Sequence, residues 1–386
     1  MVDFDEFIVM REETLEELNI VIEKVIEEKE SMDLDYDLLE KVLGTMIKSV
    51  RSEDVGPISV VTPIKKEEML QVTLNFFKSI DSELYRKAIN TILQQSKNIK
   101  TRIYNIHQVK DFDQEDSLGL SKHTRNGCVQ SRNGFATVNI PIREEIDDEE
   151  EVVLNKDECT LNDLYVVVHE ISHLLDLDLD LERPDEEKKL GKTRGQKTRI
   201  ARELLGEATA SAFEGMLSEY LLKNGIYSQA AIREIDRLNI NSFLQDARLV
   251  YAKLFLAREK SKNKEIKLEF VEKFMRDNGF SIHYIRDMAN NIINDPRDML
   301  FEKRYALGGL ISPTIIKKYN EEGASVLKKY LEEAKNENFV GALAALGIGL
   351  NENGINQLIS NMQDRVANMD TEKDRVANMD TEKDRI

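Results

Sequence analysis

Two histidines and a glutamate stand together in one short run, His169-Glu170-Ile171-Ser172-His173. Side chains four residues apart on a helix project from one face, one turn apart. Two imidazoles so placed suit the bite of a zinc ion, which takes histidine nitrogens at about 2.0–2.1 Å. Glu170 follows the first ligand and can reach a metal-bound water without being a ligand itself. This is the H-E-x-x-H arrangement of two ligands and a general base. Zinc lowers the pKa of its water and polarises a peptide carbonyl. Glu170 would take the water's proton and later deliver it to the leaving amine. The pattern predicts one zinc ion per chain and a metallopeptidase. The plain alternative is a pair of core histidines satisfied by ordinary hydrogen bonds.

The element that must carry this run is a helix starting at Leu161. Thr160 with Asp163 three residues later forms a capping pair. Leu161, Leu164, Tyr165, Val168, Ser172 and Leu175 fall on one face, while Val166, Val167, Ile171 and Leu174 make the other sides apolar. A helix apolar nearly all round is buried. Imidazoles and a carboxylate inside it are costly unless something engages them.

A catalytic zinc keeps three protein ligands and one open position. The next helix runs through 198–224 and stops at Gly225, a C-cap glycine. Glu203, Glu207, Ser211 and Glu214 share one of its faces, and Leu205, Ala208, Ala212 and Met216 give an apolar side. Carboxylates facing the histidine helix would supply a ligand and acceptors that orient imidazoles. The competing reading is an exposed acidic face. Against it, small residues such as Ala210 and Ser211 permit close approach of another helix.

Around these two helices the chain is mainly α-helical. Residues 13–30, 37–50, 66–80 and 82–96 carry apolar residues at three- and four-residue spacing. Residues 100–109 and 134–142 are rich in β-branched and aromatic residues and read as short strands, with Pro141 at an edge or a strand end. The expected fold is mainly α, with a small mixed or antiparallel β-sheet beside the catalytic helix. Three regions follow: a helical one over 1–100, a catalytic domain over 101–362 and a polar tail over 363–386. The tail repeats DRVANMDTEK at 364–373 and 374–383. Two such copies cannot build a solenoid, so we assign the tail no function.

Composition excludes several classes. The 386 residues carry a net charge of −18, which repels phosphate backbones and disfavours nucleic acid as a partner. No apolar run is long enough to span a membrane, and the acidic start lacks the features of a signal peptide; a cytoplasmic protein is expected. Cys128 and Cys159, the only cysteines, offer neither a disulfide framework nor a cysteine zinc site. Residues 176–187 place acidic side chains at calcium-loop positions, but Leu181 stands where the loop needs glycine. Asp176, one turn beyond His173, is open to an outer-shell role or plain solvation. Gly308-Gly309 reads as a flexible loop or a turn between helices.

The chain resembles the thimet oligopeptidase and oligoendopeptidase F family, thermolysin-like zinc peptidases. In that family H-E-x-x-H is followed by a helix with a Glu-x-x-Ser-x-x-x-Glu pattern. Glu207 and Glu214 match its two glutamates, with Ala210 at the serine position and Ser211 beside it. The resemblance implies Glu207 as third ligand, Glu214 as an outer-shell partner, and Glu203 as the alternative ligand. Tyr305-Ala306-Leu307-Gly308 fits the family's Tyr-Ala-x-Gly element, which implies Tyr305 as the group that stabilises the oxyanion. The similarity extends over roughly 65–362, including residues 76–84. It implies a zincin-like catalytic domain with helical channel walls, a peptide substrate restricted to oligopeptides, and an edge strand at 134–142 that pairs with it.

Three departures stand out. The family's histidine and tyrosines before Tyr-Ala-x-Gly are missing from MLFEKR, leaving Tyr305 alone or with His283 and Tyr284. Ser172 replaces a usual glycine, and the connection from His173 to Glu207 is longer than usual. Two other classes of function compete: a zinc- or peptide-binding protein without catalysis, and a protease dedicated to one protein target. The oligomeric state is left open.

Overall fold

The computed structural model describes residues 19–20, 22–23, 25–26, 36–49, 62–92, 99–105, 128–132, 135–142, 146–147, 150–151, 158–175, 196–262, 265–278, 303–336 and 338–383. The calcium-like loop with Asp176, and His283 with Tyr284, lie outside the described residues, as does most of 13–30. Among the described residues helices predominate, and no helix is long and apolar enough to cross a membrane.

The chain divides into two compact units, each discontinuous in sequence: residues 1–53 with 240–307, and residues 54–239 with 308–386. In the first, helix α1 (Tyr36–Ser49) buries Leu39, Leu43 and Met46. Its buried Glu40 accepts an ion pair from Arg258 at 2.8 Å. The rings of Phe255 and Phe274 stack with centroids 4.2 Å apart.

The second unit holds the histidine helix. Strand β1 (Pro63–Lys65) leads directly into α2 (Lys66–Ile80), followed by α3 (Ser82–Ile92). Strands β2 (Ile99–Asn105), β3 (Cys128–Arg132) and β4 (Phe135–Ile142) form a mixed sheet in the order β2-β4-β3. β2 runs parallel to β4, and β3 antiparallel to it. Residues 135–142 are therefore not an edge strand: β4 lies in the centre, hydrogen-bonded on both sides, and among the described strands β2 and β3 flank it. Pro141 falls beyond the last residue paired with β3, Asn139. There its missing N–H breaks no ladder bond on that side. A two-residue hairpin, β5 (Ile146–Asp147) with β6 (Glu150–Glu151), comes next.

β7 (Glu158–Thr160) pairs antiparallel with β1 and ends at the cap of α4 (Leu161–Ser172). The Thr160 hydroxyl accepts from Asp163 N–H at 3.2 Å, while the Asp163 carboxylate accepts from Thr160 N–H at 2.7 Å. Two orphan donors at the start of the helix are thus satisfied with the cap buried. Leu161 N–H donates to the Thr62 carbonyl at 2.9 Å, which fixes where the helix enters the core. Leu161, Leu164, Tyr165, Val167, Val168 and Ile171 are all buried, each large side chain contributing roughly 1.5–3 kcal/mol.

α5 (Gln196–Asn224) packs along α4. It ends at Gly225, whose φ of +59° suits a residue without a Cβ. Phe213 on α5 stacks on Phe77 of α2 with centroids 5.6 Å apart, and Phe76 meets its edge at 6.2 Å. α6 (Gln229–Ser261) follows, and α7 (Leu268–Asp277) belongs to the first unit. Gly308 and Gly309 lie neither in a loop nor in a turn but inside α8 (Lys303–Glu322). Pro313 in that helix deprives the Gly309 carbonyl of its N–H partner, and the Ser312 hydroxyl donates to this carbonyl at 3.1 Å.

α9 (Ala324–Lys335) and α10 (Phe339–Ala345) lead to α11 (Glu352–Lys383), which takes in both of the repeated decapeptides. The first copy is anchored. Arg365 reaches Asp236 of α6 at 3.4 Å, and just before it Asn361 donates to Thr314 at 2.8 Å. Side chains past Asn368 lie outside the described residues.

Candidate metal centre

The last turn of α4 presents His169 and His173 toward α5, their rings 80° apart with centroids at 4.8 Å. Their Nε2 atoms are 3.1 Å from each other. Glu207 Oε2 lies 3.6 Å from Nε2 of His169 and 3.9 Å from Nε2 of His173. A triangle with these sides has a circumradius of about 2.1 Å, the bond length zinc makes to nitrogen and carboxylate oxygen. Three donor atoms on two helices thus stand where one small cation could touch them all. Glu207 is buried, and both histidines are partly buried. Glu203 is partly buried and lies outside this group.

Electrostatics agree with geometry. Burial alone would push the His169 imidazole down. The carboxylates of Glu214 and Glu207, with Glu170, outweigh that and hold it well above its ordinary value. The field that favours a proton on that ring favours a cation between the rings. Glu170 Oε2 is buried without a hydrogen-bond partner among the described residues. Burial first, then repulsion from Glu207 and Glu214 against attraction from His169, raises the Glu170 carboxyl to about 7. A carboxylate left this way costs stability, and such costs concentrate at sites of function. Two imidazoles, one carboxylate and an orphaned carboxylate oxygen are a donor set that fits zinc.

His169 is oriented from behind. Its Nδ1 lies 2.7 Å from Glu214 Oε1. With Nδ1–H donating there, the lone pair of Nε2 is turned toward Glu207 and His173. Asn239 Nδ2 in turn donates to Glu214 Oε2 at 3.0 Å. One turn earlier on α4, the Tyr165 hydroxyl meets Ser218 Oγ at 2.7 Å, and Ser218 donates to Asp236 at 2.6 Å. Sequence reasoning missed Asn239, Ser218 and Asp236, because uncharged or isolated polar residues on a neighbouring helix carry no motif. Ser172 fits without glycine: its buried hydroxyl donates back to the Val168 carbonyl at 2.7 Å.

The segment after Tyr305 also touches this site. A Cβ on Gly308 would lie 2.9 Å from the Ala208 nitrogen and 2.9 Å from Glu207 Cβ. α8 therefore presses its bare backbone against the turn that carries Glu207, and Tyr330 braces the same turn by donating to the buried Leu205 carbonyl at 3.2 Å. Gly308→Ala should force the helices apart, lowering stability by about 1–3 kcal/mol and weakening metal binding. Thermal unfolding and metal titration measure the two effects. Tyr305 belongs to the other unit; Arg304 donates to its hydroxyl at 3.1 Å, and the guanidinium lies 4.8 Å from the ring centroid.

The fold is similar to that of a solved structure described as a "putative peptidase from Chlamydophila abortus", with a TM-score of 0.52, 11% sequence identity, and coverage of 92% of this chain and 55% of that one. A "putative oligoendopeptidase F from Bacillus anthracis str. Ames" gives a TM-score of 0.45 at 10% identity, covering 94% of this chain and 57% of that one. The chain thus spans little more than half the length of either structure. No family model matches the sequence, and no curated protein does.

Proposed function

We propose that this protein is a zinc-dependent metalloendopeptidase that hydrolyses peptide bonds in oligopeptides. The observation that carries the proposal is the triangle of Nε2, Nε2 and Oε2 from His169, His173 and Glu207. These three side chains would hold the ion. When bound, zinc supplies an acidified water and polarisation of the scissile carbonyl. Glu170 follows the first ligand in the chain, and one of its buried oxygens has no hydrogen-bond partner among the described residues. Its role is to accept the attacking water's proton and pass it to the leaving amine. Burial pushes its carboxyl up, which favours keeping the proton until the amine leaves. Glu214 holds the His169 ring in the tautomer that leaves Nε2 free to bind metal.

Tyr305 is assigned the oxyanion on the strength of the Tyr-Ala-x-Gly resemblance. The peptide substrate is inferred from the same resemblance, and the fold likeness to a structure described as a peptidase agrees with it. Incubating the zinc-loaded chain with a mixed oligopeptide library and reading products by mass spectrometry tests the function. Cleavage at internal bonds is expected. A chain that binds zinc and leaves every peptide intact would instead be a binding protein.

A further inference from the structure

We infer that Asn239 is a positioning residue of this site, acting on His169 through Glu214. The inference rests on the metal-site reading above and adds a residue that neither the H-E-x-x-H run nor the glutamate pattern contains.

α5 and the start of α6 form a helical hairpin turning at Gly225–Ser228. Residues equally far from such a turn face each other across the pair. Glu214 and Asn239 are centred on it, and so are Ser218 and Asp236. The two pairs make successive rungs, bonded at 3.0 Å and 2.6 Å. α4 meets both rungs with residues four apart: Tyr165 on the lower rung and His169 on the upper. The lower rung, completed by Arg365, ties four helices together. The upper rung has a different job, because its far end is the imidazole that faces the cation site.

Glu214 has three rotatable bonds and is partly exposed, with 18% of its side chain accessible. His169 engages only Oε1. Without a second anchor the carboxylate is free to swing to water, and the imidazole loses the acceptor that sets its tautomer. Asn239 supplies that anchor as a neutral donor. A lysine there would neutralise Glu214 and weaken its pull on the Nδ1 proton, whereas an amide fixes the carboxylate and leaves its charge intact.

An exchange of the two groups provides the test. Asn239→Asp places two carboxylates against each other at the upper rung. Glu214→Gln, with its carbonyl toward His169, points an amide donor at the Asn239 donor. The double variant restores one donor and one acceptor, keeps the net charge and still offers a carbonyl to His169. Zinc affinity is measured by competition with a chromogenic chelator at one pH. The His169 imidazole is followed by ¹⁵N NMR of the zinc-free chain at alkaline pH, where the ring is neutral and its tautomer is defined, and thermal unfolding of that form monitors the fold. Asn239→Leu, similar in volume, serves as a further single variant.

Each single variant should bind zinc about 10–100-fold more weakly and lose the defined Nδ1–H signal of His169, with the zinc-free unfolding midpoint little moved. The double variant should bind more tightly than either single exchange and regain the signal. Wild-type affinity and an unchanged imidazole signal in Asn239→Asp and Asn239→Leu would overturn the inference. So would losses that simply multiply in the double variant. Failure of the wild-type chain to bind zinc would instead contradict the metal site itself, and the imidazole signals would still decide whether Asn239 sets the tautomer.

Discussion

Glu170→Gln should abolish peptide hydrolysis, lowering kcat by about 10²–10⁴-fold, while zinc stays near one per chain. The two side chains have the same shape, so binding of substrate and metal has no steric reason to change. Only the capacity to accept and return a proton is lost. The stability effect should run the other way. Glu170 is a buried carboxyl with an oxygen lacking any hydrogen-bond partner among the described residues. A neutral amide is cheaper to bury than a carboxylate. The variant should therefore unfold at the same temperature as the wild type or higher, the trade expected where a site is strained for function. Steady-state kinetics, metal analysis and calorimetry on one preparation check all three statements. Residual activity close to wild type would remove Glu170 from the role of base.

The second large effect concerns the third ligand. Glu207→Ala should lower zinc affinity by more than the roughly 10–100-fold of an outer-shell change, because one of the three proposed donors is removed. Glu203→Ala should leave affinity near the wild-type level. The two glutamates sit one turn apart on the same helix, so local propensity and helix charge change alike in both variants. What differs is place: Glu207 Oε2 lies within 4 Å of both imidazoles, and Glu203 is outside the group. Glu207→Gln, which keeps the volume and halves the acceptor capacity, should fall between them. The reverse ranking of Glu203 and Glu207 would overturn the ligand assignment.

The sequence was most legible where chemistry is local. His169, Glu170 and His173 are nearly consecutive, and helix geometry alone predicts that the two rings share a face. The cap at Thr160 and Asp163 is equally local, and the helix starts at Leu161 as that pair requires. Glu203, Glu207 and Glu214 were legible as one face, but periodicity could not say which carboxylate faces the imidazoles. That choice depends on the depth at which two helices pack, a tertiary quantity.

Other features were hidden because they depend on contacts between distant segments. The run 134–142 has the composition of an edge strand, but the pairing of β2 and β3 on either side of it decides its place. Gly308-Gly309 has the signature of a break. In the folded chain both lie inside a helix, and Gly308 keeps its surface bare for Glu207 and Ala208. Asn239 is one amide among many, and only the hairpin register brings it to Glu214. Arg365 stands in a repeat with no pattern of its own, and becomes structural only because Asp236 lies opposite.

The most direct test of the account is the rate of oligopeptide cleavage by the wild-type chain after its metal has been stripped with a chelator and zinc returned in steps. The stripped chain should cleave nothing, and the rate should rise and saturate at about one zinc per chain. Full cleavage by the stripped chain, or none at any zinc level, would contradict it.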